Sequence, residues 1–249
     1  MLPIRDTIPH RNFPLVNWAI ILTNCVVFFF ELGLPAGELR ALFYYFGIVP
    51  ARYTHPEWAV WLGLPVGDLW PFVTSMFLHG GWAHLIMNMW ALWIFGDNVE
   101  DRMGHLRYLV FYLLCGVASG VAHYVVNAHS TLPTVGASGA ISGVMGAYML
   151  MFPRSRVIVL VPFFFLPMFI EVLASLYIFL WFVGQFMSGT FSVALPGEVG
   201  GVAWWAHIGG FVAGMLLMPW LRPRRRRRRL ADDEWGLLGA WGGGRRYDW

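Results

Sequence analysis

The middle of the chain reads Val135-Gly136-Ala137-Ser138-Gly139-Ala140-Ile141-Ser142-Gly143, a run of small residues that opens an apolar segment. Small residues four apart let helix backbones approach closely inside a membrane. Gly139 and Gly143 have this spacing, and Gly210 and Gly214 repeat it in the middle of the last apolar segment. Helix packing would explain the glycines, but it assigns no role to the Ser138 hydroxyl.

The composition of the 249-residue chain is that of a multi-pass membrane protein. Hydrophobic residues make up 58% of the sequence and charged residues only 12%, which leaves too little polar surface for a water-soluble globule of this size. Cys25 and Cys115 lie in different apolar segments without metal-ligand spacing. We therefore expect no disulfide framework, no metal and no cofactor.

Six apolar runs predict an all-α membrane protein with six spanning helices, at about residues 14–30, 82–95, 106–126, 138–152, 169–187 and 203–221. The fourth run is shorter than the roughly 20 residues that cross a bilayer. We therefore expect a short central helix whose first turn, with Ser138, begins inside the membrane and faces a wet cavity.

The remaining segments complete a three-part organisation. Residues 1–13 are predicted to be a cytoplasmic N-terminal segment, 14–222 the six-helix domain and 223–249 an arginine-rich tail. Five prolines interrupt residues 34–81, where we expect an ordered loop in the membrane interface, a region that favours Trp and Tyr.

The distribution of basic residues predicts the orientation. Every basic residue is an arginine, and one side of the predicted spans carries Arg5, Arg11, Arg102, Arg107, Arg154, Arg156 and the cluster Arg222 and Arg224 to Arg229. The other side carries Arg40 and Arg52. Both termini are therefore predicted to be cytoplasmic. The cluster follows a span and has no binding fold around it, so we expect a membrane anchor and no nucleic-acid partner.

Polar residues inside apolar segments are functional candidates, because they are costly in a membrane. At about 1.5 Å per helical residue, Ser138 lies roughly 24 Å from Arg154, His207 roughly 22 Å from Arg222, and His84 roughly 20 Å from Asp97. In a hydrocarbon core of about 30 Å, all three side chains lie at one level, roughly 6–10 Å below the outer surface. Asn88 lies one turn further in.

These residues permit nucleophilic acyl transfer. Ser138 needs a neighbouring base to become a nucleophile, and His207 is the best-placed imidazole. Gly136 and Gly139 leave the backbone beside the serine open to a substrate. His84 and Asn88 share one helix face and could donate hydrogen bonds to an oxyanion, together with N–H groups at the helix N-terminus.

Other chemistries fit the residues less well. A metalloprotease would require H-E-x-x-H, whereas Leu85 and Asn88 follow His84. An aspartyl mechanism would require two facing carboxylates, but Glu31, Asp97 and Glu171 lie near segment ends. A transporter or channel remains a different class of alternative, without support from paired broken helices or repeat symmetry.

Three motifs resemble those of the rhomboid family of intramembrane serine proteases. They are Gly136-Ala137-Ser138-Gly139, His84-Leu85-Ile86-Met87-Asn88, and Ala206-His207-Ile208-Gly209-Gly210 with Gly214. Each lies in its proper span, and the resemblance covers roughly residues 14–222. It leaves the arginine-rich tail unmatched.

The resemblance implies a Ser138–His207 dyad without a third acid, and an oxyanion site formed by His84, Asn88 and the Ser138 N–H. It also implies that the fifth span and residues 189–201 gate access, and that the substrates are transmembrane proteins of the same lipid bilayer. We expect a bacterial inner membrane as the location, while the oligomeric state is not predicted. A catalytically silent relative that binds membrane clients is the alternative.

One position departs from the family pattern. Many members carry an aromatic residue four positions after the nucleophile, packed against the histidine, and this chain has Ser142 there. The sequence leaves open which residue supports His207, with Trp204 and Trp205 as candidates.

Overall fold

The computed structural model describes residues 2–9, 11–163, 166–194 and 203–223. In chain order its elements are β1 (Leu2–Asp6), α1 (Leu15–Leu32), α2 (Ala36–Phe46), α3 (Ala51–Thr54), α4 (Pro56–Trp61), α5 (Pro71–Thr74), a 3₁₀ helix (Ser75–Phe77), α6 (Trp82–Met103), α7 (His105–Val126), α8 (Ser138–Met151), β2 (Arg156–Phe163), β3 (Leu166–Leu173), α9 (Ala174–Ala194) and α10 (Trp204–Leu221).

Three of the described helices, α1, α7 and α10, are long and apolar enough to cross a membrane. Large apolar side chains on them point outward, including Leu22, Leu106 and Trp220, as expected for surfaces that face lipid. The chain is an integral membrane protein. These three helices do not confirm the predicted count of six spans.

The fold is mostly helical, as predicted, but it is not all-α, because the described residues include a three-stranded antiparallel sheet in the order β1-β2-β3. Its strand β2 contains the β-branched run Val157-Ile158-Val159, which favours extended backbone. Pro162 of β2 opposes Pro167 of β3, and either proline would interrupt a helix. The pairing of β1 with β2 ends at Leu160. Pro162 lies beyond it, so the missing N–H of this proline removes no hydrogen bond between β1 and β2.

Two predicted boundaries also change. The fifth helix begins at Ala174, because residues 169–173 belong to β3. Helix α6 continues past residue 95 to Met103, although its last turns are charged. The buried Glu100 carboxylate accepts hydrogen bonds from the N–H groups of Val16 (2.9 Å) and Asn17 (2.7 Å), which satisfies first-turn donors of α1.

Residues 34–81 form the predicted ordered connection, built from four short helices and the 3₁₀ helix. Arg52 is fully buried there. Its Nε donates to the Pro65 carbonyl (2.6 Å), its Nη1 donates to the Tyr45 carbonyl (3.0 Å), and its Nη2 pairs with Asp68 (3.4 Å). The position of this segment in the membrane interface stays a prediction.

Helix α8 lies at the centre of the bundle, packed against α6, α7, α9 and α10. Every residue from Gly139 to Tyr148 is buried. Strand β1 pairs with β2, just beyond the C-terminal end of α8, and Asn12 bonds to Asp101 near the end of α6. Asp6, Asn12 and the start of β2 therefore lie at the end of the bundle opposite Ser138. Pro3 of β1 extends further, since its carbonyl accepts a hydrogen bond from Trp90 Nε1 (2.6 Å) and it lines the same cavity as Ser138.

Two predicted features extend outside the described residues. They are the arginine cluster from Arg224 with the rest of the tail, and residues 195–201 of the predicted gate.

Candidate active site

Ser138 is the first residue of α8. The first helical hydrogen bond runs from Ile141 N–H to the Ala137 carbonyl (3.0 Å), so the N–H groups of residues 138–140 have no partner within the helix. No side chain among the described residues caps this turn. The N-terminus carries partial positive charge, which favours negative charge beside Ser138.

His207 lies in the first turn of α10, and both of its ring nitrogens have partners. Nε2 lies 2.7 Å from Ser138 Oγ, and Nδ1 lies 2.6 Å from Gln185 Oε1. In the tautomer with hydrogen on Nδ1, the Ser138 hydroxyl donates to Nε2 and Nδ1–H donates to the Gln185 carbonyl. This arrangement leaves Nε2 able to take the serine proton.

The contact between α8 and α10 places these two side chains together. A Cβ built on Gly210 would lie 1.9 Å from the Gly139 carbonyl oxygen, and one built on Gly214 would lie 2.0 Å from the Gly143 carbonyl oxygen. Real atoms do not approach so closely, so the helices reach this separation only with glycine at both positions.

His84 lies beside the serine, in contact with Gly136. A Cβ built on Gly136 would lie 2.6 Å from His84 Nε2 and 3.7 Å from Ser138 Oγ. Gly136 also has a φ of 127°, which side-chain-bearing residues rarely adopt. Gly80 N–H donates to His84 Nδ1 (3.4 Å), which leaves Nε2 to carry the hydrogen on the side facing Gly136.

Asn88 follows His84 by one turn and is 7% exposed. Its Nδ2 has no hydrogen-bond partner among the described residues. A buried donor without a partner costs about 1–3 kcal/mol. Such a group is expected where an incoming ligand or water supplies the missing acceptor.

A cavity of about 420 Å³ joins these groups. Its lining includes the four predicted site residues, Ser138, His207, His84 and Asn88. It also includes three side chains near His207, namely Gln185, Trp181 and Trp204. Within the described ranges, no three His, Cys, Asp or Glu side chains gather as metal ligands.

The support of His207 comes mainly from α9, and not only from the candidates Trp204 and Trp205. The Trp181 ring centroid lies 6.0 Å from that of His207, and the Trp204 ring stands edge-on at 6.5 Å. Ser142 instead donates to the Ser138 carbonyl (2.6 Å). Trp181 and Gln185 are four residues apart in an apolar run, and a glutamine inside such a run is a signal that marks Gln185 as a functional candidate, without identifying its partner.

Comparison with known proteins agrees with the motifs around this cavity. The Rhomboid domain family matches residues 66–224, more than half of the chain. RHOMBOID-like protein 6, mitochondrial, of Arabidopsis thaliana is 31% identical over 60% of this chain and 43% of its own length. Rhomboid protease GluP of Bacillus subtilis is 32% identical over 61% of this chain and 26% of its own. The human presenilin-associated rhomboid-like protein, mitochondrial, is 35% identical over 40% of this chain and 26% of its own.

The chain thus spans less than half the length of each of these three relatives. The family match nevertheless includes Ser138, His207, His84 and Asn88, the residues that line the cavity. The chain belongs to the rhomboid family.

Proposed function

We propose that this protein is an intramembrane serine endopeptidase with Ser138 as nucleophile and His207 as general base. The observation that carries the proposal is the 2.7 Å separation of Ser138 Oγ and His207 Nε2 within the cavity. This is the reach that a nucleophile–base pair requires. The relative named Rhomboid protease GluP supports the same activity.

The acylation step uses the dyad directly. Ser138 Oγ attacks the carbonyl carbon of the scissile peptide bond while His207 Nε2 takes the hydroxyl proton. The tetrahedral intermediate collapses with cleavage of the C–N bond, and His207 gives its proton to the leaving nitrogen. The acyl part of the substrate is then joined to Ser138 Oγ as an ester. A water molecule loses a proton to His207 and attacks this ester, and the proton returns to Ser138 Oγ as the acid leaves.

The oxyanion of each tetrahedral intermediate needs hydrogen-bond donors already in place. Asn88 Nδ2 is a buried donor without a partner among the described residues. The Nε2 atom of His84 lies beside Gly136, and the Ser138 N–H belongs to the first turn of α8, which no side chain among the described residues caps. These three groups are the proposed oxyanion site.

The proposal places the chemistry in a six-span domain over residues 14–222, with residues 34–81 in the outer interface. Both termini would be cytoplasmic in a bacterial inner membrane. The pairing of β1 with β2 supports a common side for the N-terminal segment and the α8–α9 connection. The substrates would be transmembrane proteins, admitted past α9 and residues 189–201 and cut near helix-destabilising residues after a small residue.

Cleavage in liposomes tests this function. Wild type should cut a reconstituted single-span substrate, whereas Ser138→Ala and His207→Ala should not, with all three proteins showing the same helix content. Ser155→Ala, a buried serine at the opposite end of the bundle, is the matched control and should cut normally. Folded wild type that crosslinks to substrates without cutting them would instead identify a catalytically silent client-binding protein.

A further inference from the structure

Two side chains from one face of α9 hold the imidazole of His207. Gln185 Oε1 lies 2.6 Å from Nδ1, and Trp181, one turn earlier, lies beside the ring with centroids 6.0 Å apart. Position 142, four residues after Ser138, makes no such contact, because the Ser142 hydroxyl is bonded to the Ser138 carbonyl.

We propose that Gln185 is the positioning residue of His207, an inference that rests on the proposed function. The Gln185 carbonyl accepts Nδ1–H and thereby fixes both the tautomer and the orientation of the ring. It acts through His207 and does not touch the reacting atoms.

The proton arrangement explains why an acceptor is needed at this place. A neutral imidazole carries one hydrogen, and only the tautomer with hydrogen on Nδ1 leaves Nε2 free to accept the Ser138 proton. After that transfer both nitrogens carry hydrogen, and the Gln185 carbonyl still accepts Nδ1–H. The same contact therefore serves His207 before and after it takes the proton.

The surroundings of His207 offer no other partner for Nδ1 among the described residues. The titratable groups close enough to interact electrostatically with His207 are His84 on α6 and His123 on α7. His123 Nε2 is already bonded to Thr134 Oγ1 (2.8 Å), and His84 lies against Gly136. In many relatives a residue of α8 packs against the histidine. In this chain His207 is supported from α9, by the amide of Gln185 and the indole of Trp181.

A pair of variants separates positioning from packing. Gln185→Met keeps the length of the side chain and removes the acceptor, so kcat should fall about tenfold, the equivalent of one hydrogen bond, with KM unchanged. Gln185→Glu keeps an acceptor, so kcat should stay within about threefold of wild type. As the pH is lowered, kcat/KM of Gln185→Glu should begin to fall at a higher pH than kcat/KM of wild type. The reason is that a carboxylate favours the protonated imidazole, which cannot take a proton from Ser138.

Thr23→Val on α1 is the matched control, because the Thr23 hydroxyl donates to the Ala19 carbonyl of its own helix (2.8 Å) and does not line the cavity. It should retain wild-type kcat. Wild-type kcat in Gln185→Met, or equal losses in the Met and Glu variants, would overturn the inference.

A spectroscopic measurement on wild type does not depend on either variant folding. In ¹⁵N-histidine-labelled protein in detergent, the resonance that disappears in His207→Asn should show hydrogen on Nδ1. Hydrogen on Nε2 would reject the positioning role. If wild type showed the Nδ1–H tautomer but cut no substrate, the proposed function would fail while the contact itself stood.

Discussion

A methyl group on Gly210 would lie 1.9 Å from the carbonyl oxygen of Gly139. These two glycines adjoin the candidate dyad, since Gly139 follows Ser138 and Gly210 lies three residues after His207. The separation of α8 and α10 at this point therefore sets the distance between Ser138 Oγ and His207 Nε2. Packing and chemistry depend on the same helix contact.

Gly210→Ala should consequently lower both turnover and stability. The added methyl meets backbone, which cannot move aside as a side chain can, and such overpacking costs about 1–3 kcal/mol. Thermal unfolding in detergent and substrate cleavage measure the two effects. Gly184→Ala on α9 is the matched control, because a Cβ there has nothing within 4 Å among the described residues. Equal behaviour of the two variants would contradict this account of the helix contact.

Asn88→Ala should reduce kcat about 100- to 1,000-fold while leaving KM nearly unchanged, because an oxyanion donor acts mainly in the transition state. His84→Ala should show the same pattern. Steady-state kinetics on a reconstituted substrate provide the measurement. Ile86→Ala, an exposed position on the same helix, should behave as wild type. A rise in KM with kcat retained would assign Asn88 to substrate binding instead.

Ser142→Ala should keep turnover within about threefold of wild type. The Ser142 hydroxyl bonds back to the Ser138 carbonyl (2.6 Å), and a bond of this kind adds little to a helix. Cleavage rates of Ser142→Ala and Ser138→Ala, measured side by side, distinguish the two hydroxyls. Loss of activity in the Ser142 variant with an unchanged unfolding temperature would give that residue a chemical role.

A pH-dependent stability is expected from Asp6, which accepts hydrogen bonds from Tyr148 Oη (2.7 Å) and Asn98 Nδ2 (2.8 Å). Burial raises the pKa of Asp6 well above its ordinary value, against the opposing effect of the Tyr148 bond and with repulsion from Asp97. The folded protein thus holds a proton that the unfolded chain releases. The free energy of unfolding should fall as pH rises from about 3.9, the unfolded pKa, through the folded pKa.

Asp6→Asn keeps an acceptor oxygen and cannot ionise, so it should flatten this dependence and raise the unfolding midpoint at pH 7. Unfolding midpoints between pH 4 and 8 in detergent provide the test. Glu57→Gln, at an exposed carboxylate, should leave the slope unchanged. A slope in Asp6→Asn as steep as that of wild type would show that other groups cause it.

Four of the cavity residues could be predicted from the sequence, because local rules constrain them. Helical rise converts residue counts into depth, and depth alone placed Ser138, His84 and His207 at one level. The structure brings all three to one cavity with Asn88. The close contact of α8 with α10 likewise occurs at glycines whose spacing is visible in the sequence.

The features that were missed depend on distant partners. Strands β2 and β3 pair with each other, and β2 also pairs with the N-terminal strand β1. Hydropathy does not reveal such pairing. The charged end of α6 stays helical because Glu100 satisfies the N–H groups of Val16 and Asn17. The role of Gln185 follows from a contact across 22 residues, which periodicity within α9 does not specify.

The central claim is that His207 activates Ser138, and a fluorophosphonate probe tests it most directly. Purified wild type in detergent should form one covalent adduct, located at Ser138 by mass spectrometry of proteolytic fragments. His207→Ala should label far more slowly, and Ser138→Ala should not label at all. Labelling that persists in Ser138→Ala, or an absence of labelling in correctly folded wild type, would contradict the account.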